Sequence, residues 1–363
     1  MIQFVLIVET IFIVIMVLYM ALMILLTLKL KSSNNETTKR NDELVTVIIA
    51  FRDEQGNIKN LISSLGKQSH HNCQFIIVND HSTDDSLQTA KSLTINASRF
   101  LILSLPDTLH GKKNAINYAS QFATGNLVLF TDADCRFDKD WIASQVSFMV
   151  AEQLDFNSGA VFIQNPKTFI EKIQAVEIAH LIGIGHALIS LKTPVLCNGA
   201  NMGIRHKYLN APLNENIASG DDIFRLQYAV KTKQQIGYNT QHESFIYTKA
   251  EPTIKGWIAQ RSRWAGKSAH YSDKYSILLT LFIGMVQLTA VASIFCGDMK
   301  TIVYIWSIKL IAEILFITKV SQMYKQKFNL LTTLSLGICY PFLTIVVLAN
   351  TIVGKIEWKG RKI

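Results

Sequence analysis

Hydrophobic positions in this chain form long apolar runs near both ends and short apolar runs between them. The first long run, Phe4–Leu28, has 25 residues and contains one charge, Glu9. A helix of this length extends about 37 Å, more than the roughly 30 Å hydrocarbon core of a bilayer. No Lys or Arg precedes Lys29, and the run is too long for the apolar part of a cleavable signal peptide. The pattern predicts an uncleaved N-terminal transmembrane helix within residues 1–30.

The far end of the chain repeats this pattern. Two uncharged runs of 21 and 25 residues predict further membrane helices, Ser276–Cys296 and Leu330–Gly354. Between them, Thr301–Thr318 is apolar except for Lys309 and Glu313, which share one side of a helix because they are four residues apart. Such a pair is either an ion pair packed against neighbouring helices, which we favour, or an intramembrane polar site. Residues 276–363 are therefore predicted to be a transmembrane region with two or three helices.

Residues 31–275 contain no uncharged stretch of spanning length and have the pattern of a folded α/β domain. Short apolar runs predict four strands, at Leu44–Ala50, Gln74–Val78, Arg99–Ser104 and Asn126–Thr131. Helical periodicity follows the first strand at Asn57–Gln68, and another helix is predicted to begin at Lys112. Alternation of strands and helices predicts a parallel sheet whose ligand lies beyond the carboxyl ends of the strands.

Acidic residues follow three of these four strands. They are Asp53 and Glu54, then Asp80, then Asp132 and Asp134. Carboxylates gathered at one edge of a sheet repel each other unless a cation or hydrogen-bond donors compensate their charge. Asp132 and Asp134, two residues apart after a buried strand, have the spacing to approach one hard divalent ion, which proteins typically hold with one or two carboxylates and substrate phosphates.

Three other phosphate- or nucleotide-binding motifs are incomplete in this sequence. A haloacid-dehalogenase-like phosphatase has Thr or Val after its DxD, where this chain has Cys135-Arg136. Gly266-Lys267-Ser268 suggests a P-loop, but Arg261 occupies the position of the required upstream glycine. The turn after the first strand, Phe51–Gly56, lacks the glycines of a Rossmann dinucleotide site.

Segments in the order of the chain from about Val45 to Lys267 resemble a membrane-bound family 2 glycosyltransferase with the GT-A fold. They are VTVIIAFRDE (45–54), IIVNDHSTDD (76–85), GKKNAIN (111–117), DAD (132–134), NGANMG (198–203), SGDD (219–222) and QRSRW (260–264), the last matching QxxRW. The chain departs from the usual motifs at Ala50 (for Pro), Asp53 (for Asn), Asn79 (for Asp), His81 (for Gly) and Asp221 (for Glu). The resemblance implies an α/β fold, a GT-A nucleotide-sugar-binding domain with a mostly parallel sheet and helices on both faces, flanked by transmembrane helices.

The resemblance also implies roles for individual residues. Asp222 is the expected catalytic base, and Asp132 and Asp134 are the expected ligands of Mg²⁺ or Mn²⁺. The expected substrate-binding residues are Glu54 (ribose region), Asp80 (uracil), Lys112 (nucleotide), Asp132, Asp221, Gln260, Arg261, Arg263 and Trp264. Arg261 and Arg263 are permanently charged and suited to forked contacts with diphosphate oxygens. His180, His186 and His242 are alternative bases that lie in no motif.

The composition agrees with a chain that combines membrane helices with a water-soluble domain. Of its 363 residues 49% are hydrophobic and 17% charged, against about 25% charged in an average soluble protein. This composition excludes intrinsic disorder. Five widely spaced cysteines with no CxxC predict neither a disulfide framework nor a zinc site, as in a cytosolic domain. The basic residues behind the net charge of +9 are expected to bind anionic membrane lipid and a diphosphate donor rather than nucleic acid.

Basic residues beside the spans predict the orientation. Those after the first helix, Lys29, Lys31, Lys39 and Arg40, place residues 31–275 in the cytoplasm. The expected location of the chain is a bacterial inner membrane. The number of C-terminal spans stays open, because three would put the basic tail, with Lys355 and Lys359, outside against the rule.

The expected function is that of an inverting hexosyltransferase. It moves a sugar from a UDP-sugar to a hydroxyl of a lipid-linked or saccharide acceptor, with metal assistance and Asp222 as base. The alternative is a membrane translocation scaffold with a non-catalytic nucleotide-sugar-binding domain. Neither the sugar, the acceptor nor the number of transfers follows from the sequence.

Overall fold

The computed structural model describes residues 2–32, 42–210, 220–353, 357–358 and 361–362. The sequence features at Ser219, Lys39, Arg40, Lys355 and Lys359 lie outside these residues. Two compact units divide the chain. The helical unit consists of Met1–Lys31, Asn165–Thr193 and Ala250–Ile363, and the sheet unit consists of Ser32–Gln164 and Pro194–Lys249.

The strands and helices alternate through the middle of the chain. The strands are β1 (Val45–Phe51), β2 (Cys73–Asn79), β3 (Phe100–Ser104), β4 (Leu127–Phe130), β5 (Arg136–Phe137), β6 (Phe156–Gly159), β7 (Val161–Ile163), β8 (Met202–Arg205), β9 (Ile236–Asn239), β10 (Ile246–Thr248), β11 (Glu357–Trp358) and β12 (Arg361–Lys362). The helices are α1 (Ile2–Lys29), α2 (Gln55–Gly66), α3 (Ser86–Thr94), α4 (Lys112–Ser120), α5 (Trp141–Ala151), α6 (Phe169–Ser190), α7 (Asp221–Lys231), α8 (Ile254–Gly266), α9 (Lys274–Cys296), α10 (Met299–Tyr324) and α11 (Leu330–Val353). Short 3₁₀ turns occur at His206–Tyr208, His242–Ser244 and Lys267–His270.

The sheet unit is built on a seven-stranded sheet in the order β3-β2-β1-β4-β8-β6-β9. Strands β3, β2, β1 and β4 are parallel neighbours, and β8 alone of the seven runs antiparallel to both strands beside it. A small second sheet has the order β5-β10-β7. The four predicted strands and the predicted start of α4 are confirmed, with strand ends shifted by a residue or two.

Helices cover both faces of the large sheet because alternate residues of a strand point to opposite sides. Val47 and Ile49 of β1 belong to one core, which also contains residues of α2, α3 and α5. Ile48 belongs to a second core with residues of α4 and α7. Nearly every residue of β1 and β2 is buried, as expected for parallel strands covered on both faces. The predicted α/β architecture is confirmed.

The helical unit contains five helices that are long and apolar enough to cross a membrane, α1, α6, α9, α10 and α11. The Lys309 segment is one continuous helix of 26 residues, α10. Helix α6 was not expected, because Glu171, Lys172 and Glu177 interrupt its apolar sequence and leave no uncharged run of spanning length. In its most apolar window 78% of the residues are buried, against 22 to 33% in the other four helices. The domain boundaries at 30/31 and 275/276 stay a prediction.

The charged pair of α10 faces other helices of the unit. Lys309 is fully buried, and its Nζ donates to Glu313 Oε1 at 2.6 Å and to the Gly337 carbonyl of α11 at 2.8 Å. Tyr19 of α1 donates its hydroxyl to the same Glu313 oxygen at 3.2 Å. The pair is thus hydrogen-bonded to two of the helices packed against α10, as the packing interpretation predicts, and the alternative of an intramembrane polar site is untested.

Candidate active site

The turns that follow β1 and β2 lie side by side and are joined by hydrogen bonds. Asp53 has φ of 49°, and its Oδ1 accepts hydrogen bonds from Thr83 N at 2.7 Å and Thr83 Oγ1 at 3.2 Å. Burial would raise the pKa of Asp53, but the bonds from Thr83 outweigh it and lower the pKa. Glu54 N donates to Ser86 Oγ at 2.8 Å, and Glu54 Oε2 accepts from Asn57 Nδ2 at 2.6 Å. These bonds fix Glu54 at the carboxyl end of β1.

Asp80 connects the end of β2 to the start of α4. Its side chain is buried, and its Oδ2 accepts a hydrogen bond from Gly111 N at 3.1 Å. Burial raises the pKa of Asp80, although the Gly111 N–H and nearby positive groups oppose the shift. Gly111 has φ of 91° and ψ of 157°, a conformation that side chains rarely adopt. The glycine before Lys112 is therefore required by the backbone.

Lys112 begins α4 and points to the carboxylates beyond the sheet. A cation in the first turn of a helix is unfavourable to the helix dipole, so it needs compensation. Its Nζ forms an ion pair with Asp132 Oδ1. Burial would lower the pKa of Lys112, but Asp132, Asp221 and Asp222 together outweigh it and raise the pKa. One ammonium group is thus surrounded by carboxylates from two other parts of the sheet edge.

Asp134 follows Asp132 by two residues and lies close to the carboxylates of Asp132 and Glu54. Its Oδ2 accepts a hydrogen bond of 3.4 Å from Thr248 Oγ1. Burial raises the pKa of Asp134, and the negative charges of Asp132 and Glu54 raise it further, while Lys112 opposes them. Three carboxylates with one ammonium group form a donor set with excess negative charge. That donor set fits a hard divalent cation, for which carboxylate oxygens are the preferred protein ligands.

Asp222 lies in the first turn of α7, beside the glycine turn of residues 198–203. A Cβ added to Gly199 would lie 3.1 Å from Asp222 Cβ and 3.5 Å from its Oδ2, so the absence of a side chain lets the turn approach the carboxylate. Asp222 Oδ1 accepts from Ile223 N at 2.8 Å. Helix α7 starts after Gly220, whose φ of 101° suits glycine. The two segments therefore meet at one place.

The sheet unit brings together the predicted site residues that it contains. They are Glu54, Asp80, Lys112, Asp132, Asp134, Asp221 and Asp222. Of the alternative bases, His180 and His186 belong to α6 of the helical unit, where His186 Nδ1 lies 3.0 Å from the Tyr324 hydroxyl. His242 is part of a 3₁₀ turn of the sheet unit. The catalytic assignments themselves stay predictions.

The QxxRW segment lies on α8 in the helical unit. Arg261 forms a two-pronged ion pair with Glu177 of α6, with Nε 2.8 Å from Oε1 and Nη2 2.7 Å from Oε2. Both side chains are buried, at 7% and 3% exposed. The guanidinium also lies 4.2 Å from the centre of the Trp264 ring. These contacts engage Arg261 within its own unit, although the sequence suggested a phosphate contact for it.

The other polar residues of α8 have partners in the helical unit. Gln260 Nε2 donates to Glu251 Oε1 at 3.1 Å, and Trp257 Nε1 donates to Glu177 Oε2 at 2.8 Å. Arg263 is half-buried, and burial lowers its pKa while Glu251 opposes the shift. Glu177 was missed from the sequence, although an acidic residue in the middle of an apolar helix is a signal of a specific partner.

Comparison with known proteins gives both a family match and a fold match. Residues 46–211 match the model of Glycosyl transferase family 2. A poly-beta-1,6-N-acetyl-D-glucosamine synthase from Staphylococcus aureus (strain MSSA476) is 25% identical over 259 residues, which are 69% of this chain and 61% of that protein. The UDP-Glc:alpha-D-GlcNAc-diphosphoundecaprenol beta-1,3-glucosyltransferase WfgD of Escherichia coli is 27% identical over 135 residues, 37% of this chain and 52% of that protein. The matches thus span less than two thirds of either relative.

A solved structure with the same fold covers nearly all of the chain. The mannosyltransferase PcManGT from Pyrobaculum calidifontis, solved with GDP-Man and Mn²⁺, superposes with a TM-score of 0.61 at 13% identity, over 97% of this chain and 98% of that one. Together with the family match, this confirms the GT-A-like fold predicted from the motifs.

Proposed function

We propose that this chain, a member of glycosyl transferase family 2 through residues 46–211, is an inverting transferase that moves a sugar from a UDP-sugar to an acceptor hydroxyl at a membrane. The acceptor class is a lipid-linked saccharide or a growing polysaccharide. Both relatives named above support this class, since one is a polysaccharide synthase and the other uses UDP-Glc and a diphosphoundecaprenol-linked sugar.

One observation supports the proposal most strongly, the position of Lys112 among Asp132, Asp221 and Asp222. A folded protein rarely gathers carboxylates from separate segments around a single ammonium group without a ligand to compensate them. A nucleoside diphosphate with a divalent ion supplies that compensation. When the donor binds, the ammonium group of Lys112 leaves Asp132 and forms an ion pair with a phosphate oxygen.

Asp132 and Asp134 would hold the divalent ion. Bound there, Mg²⁺ or Mn²⁺ would stabilise the negative charge that develops on the departing diphosphate. The raised pKa of Asp134 reflects the burial and the like charges that the ion would relieve. The chain's own contribution is to hold these carboxylates close together, through the ion pair of Asp132 with Lys112 and the hydrogen bond of Asp134 with Thr248.

The remaining residues divide between the donor and the acceptor. Asp80, buried at the end of β2, binds the base of the nucleotide, and Glu54 binds near the ribose. Asp222 takes the proton of the attacking hydroxyl, beside the Gly199 turn, which packs closely against its side chain. A base that acts on the face opposite the departing diphosphate gives inversion at the anomeric carbon.

The helical unit serves the membrane side of the reaction. Four of its candidate spans, α1, α9, α10 and α11, support an integral membrane protein. Helix α6 is not counted, because it joins two stretches of one sheet, which lie on the same side of a membrane. The basic residues after α1 support a cytoplasmic catalytic domain, and the proposed location is a bacterial inner membrane. On α8, Gln260, Arg263 and Trp264 are proposed substrate-binding residues, and Trp264 also packs on Arg261. Arg261 acts through Glu177 as a positioning residue for this segment.

The first experiment replaces the proposed base. Asp222→Asn keeps the size of the side chain but cannot take a proton, so sugar transfer should fall by about 10²–10⁴-fold. UDP binding, measured by calorimetry on the full chain in detergent, should change little. Asp138→Asn, at an exposed carboxylate, is the matched control.

A panel of UDP- and GDP-sugars with membrane extract as acceptor tests the donor class. Metal-dependent transfer from a UDP-sugar that Asp222→Asn abolishes would support the proposal. Tight UDP binding by the wild type with no transfer to any acceptor would favour the scaffold alternative instead. Loss of UDP binding together with transfer in Asp222→Asn would move Asp222 from the base to a donor-binding role.

A further inference from the structure

Outside the carboxylate cluster, two histidines and a carboxylate meet between the end of β2 and the start of α4. One ligand atom from each of Asp80, His81 and His110 lies within 4.8 Å of the others. The two imidazole rings have centroids 4.8 Å apart and are tilted by 56°. Asp80 is buried, His81 is half-buried and His110 is exposed, so the group opens to solvent on one side.

The hydrogen bonds of His81 determine which of its ring nitrogens is free to bind a ligand. Its Nε2 lies 3.0 Å from the carbonyl oxygen of Leu109, which can only accept, so Nε2 carries the hydrogen. Its Nδ1 lies 3.7 Å from Asp107 Oδ1. With the hydrogen on Nε2, the lone pair of Nδ1 is available to a metal ion. Metal-binding histidines commonly have their second nitrogen fixed by a carbonyl in this way.

The backbone at His81 is unusual. Its φ is 52°, in the left-handed region where side chains other than Asn, Asp and His are uncommon. The family motif that this turn resembles has Gly at this position, which explains the backbone conformation. The site thus arises from this chain's own departure from the motif, together with His110 next to Gly111, whose N–H holds Asp80.

We propose that Asp80, His81 and His110 form a binding site for a borderline transition-metal ion such as Zn²⁺. Two imidazoles and one carboxylate are a ligand set typical of zinc and of nickel or copper, whereas Mg²⁺ prefers oxygen ligands alone. Tetrahedral zinc with ligands at about 2.0–2.1 Å needs the three atoms closer together than they are. Rotation of the exposed His110 side chain provides that movement, and Asp107 or water completes the shell.

Occupancy of this site inhibits the transferase. This step rests on the proposed function, in which Asp80 binds the base of the nucleotide. A carboxylate that binds zinc cannot at the same time accept a hydrogen bond from the base with full strength. Zinc and the UDP-sugar therefore compete for Asp80, and the metal weakens donor binding without touching Asp132 or Asp134.

The test measures zinc binding and UDP binding separately on the full chain in detergent. Zn²⁺ is titrated against a chromophoric chelator in excess Mg²⁺, which occupies the oxygen-only site. His81→Gly relieves the left-handed backbone and so should fold, and His110→Ala removes an exposed side chain. His71→Ala, at another exposed histidine, is the matched control. Removal of one ligand should weaken zinc binding by at least about tenfold, which is about 1.4 kcal/mol.

Zinc binding that is lost in His81→Gly and His110→Ala and kept in His71→Ala supports the site. Equal zinc affinity in all four proteins, or no saturable binding by the wild type, overturns it. For the inhibition, Zn²⁺ should weaken UDP binding in the wild type and leave it unchanged in His81→Gly, and equal weakening in both would overturn the competition. Failure of every protein to bind UDP would contradict the proposed function and leave the zinc titration to decide the metal site.

Discussion

Loss of the Glu177 carboxylate should destabilise the helical unit strongly, because it leaves a buried guanidinium without its partner. Arg261 is 7% exposed and Glu177 is 3% exposed, and two bonds of 2.7 and 2.8 Å join them. Removal of one partner from a buried ion pair typically costs about 3–5 kcal/mol. Glu177→Met also removes the acceptor of the Trp257 indole N–H, worth about 1 kcal/mol more.

The double variant Glu177→Met with Arg261→Met separates the cost of an unpaired charge from that of lost packing. Replacement of both members of a buried pair by apolar residues is often neutral or stabilising. We therefore expect the double variant to lie within about 1–2 kcal/mol of the wild type, the remaining loss coming from Trp257. Lys207→Met, which removes the exposed lysine of an ion pair with Asp155, is the control and should change stability little.

The assay is thermal unfolding of the full chain in one detergent, followed by intrinsic fluorescence. Two single variants that are each much less stable than the double variant would support the reasoning. If Glu177→Met loses less than about 1 kcal/mol, or if the two single losses add in the double variant, the buried pair is not coupled as argued. Transfer activity of the double variant then tests the positioning role, since a stable protein with low transfer means that the pair orients α8.

Two further predictions concern the carboxylate cluster. The raised pKa of Asp134, caused by burial and then by Asp132 and Glu54, means that the folded state binds the proton more tightly than the unfolded state. Asp134 should therefore contribute stability to the metal-free protein that is fully present below its unfolded pKa and is lost as the pH rises through its folded pKa. Unfolding midpoints in EDTA should lose this contribution in Asp134→Asn, and an equal pH slope in the wild type and the variant would refute it. Gly199→Ala places a Cβ 3.1 Å from Asp222 Cβ, so initial rates of transfer should fall more than UDP affinity. The control is Gly66→Ala, where a Cβ meets nothing within 4 Å, and equal transfer by the two variants would contradict the assigned geometry.

The acidic edge of the sheet could be predicted because its signals are local. Asp53 and Glu54, Asp80, and Asp132 each follow an apolar run with strand length. Parallel neighbours bring their carboxyl ends to one edge, and β2, β1 and β4 are indeed parallel neighbours. Chain order and turn chemistry were therefore sufficient to gather these residues.

The features that were not predicted depend on pairings between distant residues. Glu177 and Arg261 are 84 residues apart, and nothing in the local periodicity of either segment indicates the other. Helix α6 was missed because its charges are compensated by such distant partners rather than by neighbours in the sequence. The antiparallel β8 is equally hidden, since a four-residue strand has the same pattern in either direction.

The order of the segments along the chain has a consequence for how the protein can be divided and made. Helix α6 lies between two stretches of the sheet unit in sequence, yet it belongs to the helical unit. A Cβ at its Gly183 would lie 2.5 Å from Val320 and 2.9 Å from Phe316. The backbone of α6 at Gly183 therefore packs directly against these two side chains of α10. A fragment cut at residues 31 and 275 would carry α6 without this partner and expose its apolar surface. Biosynthesis meets the same constraint, because the ribosome must finish α10 before α6 can reach its final packing.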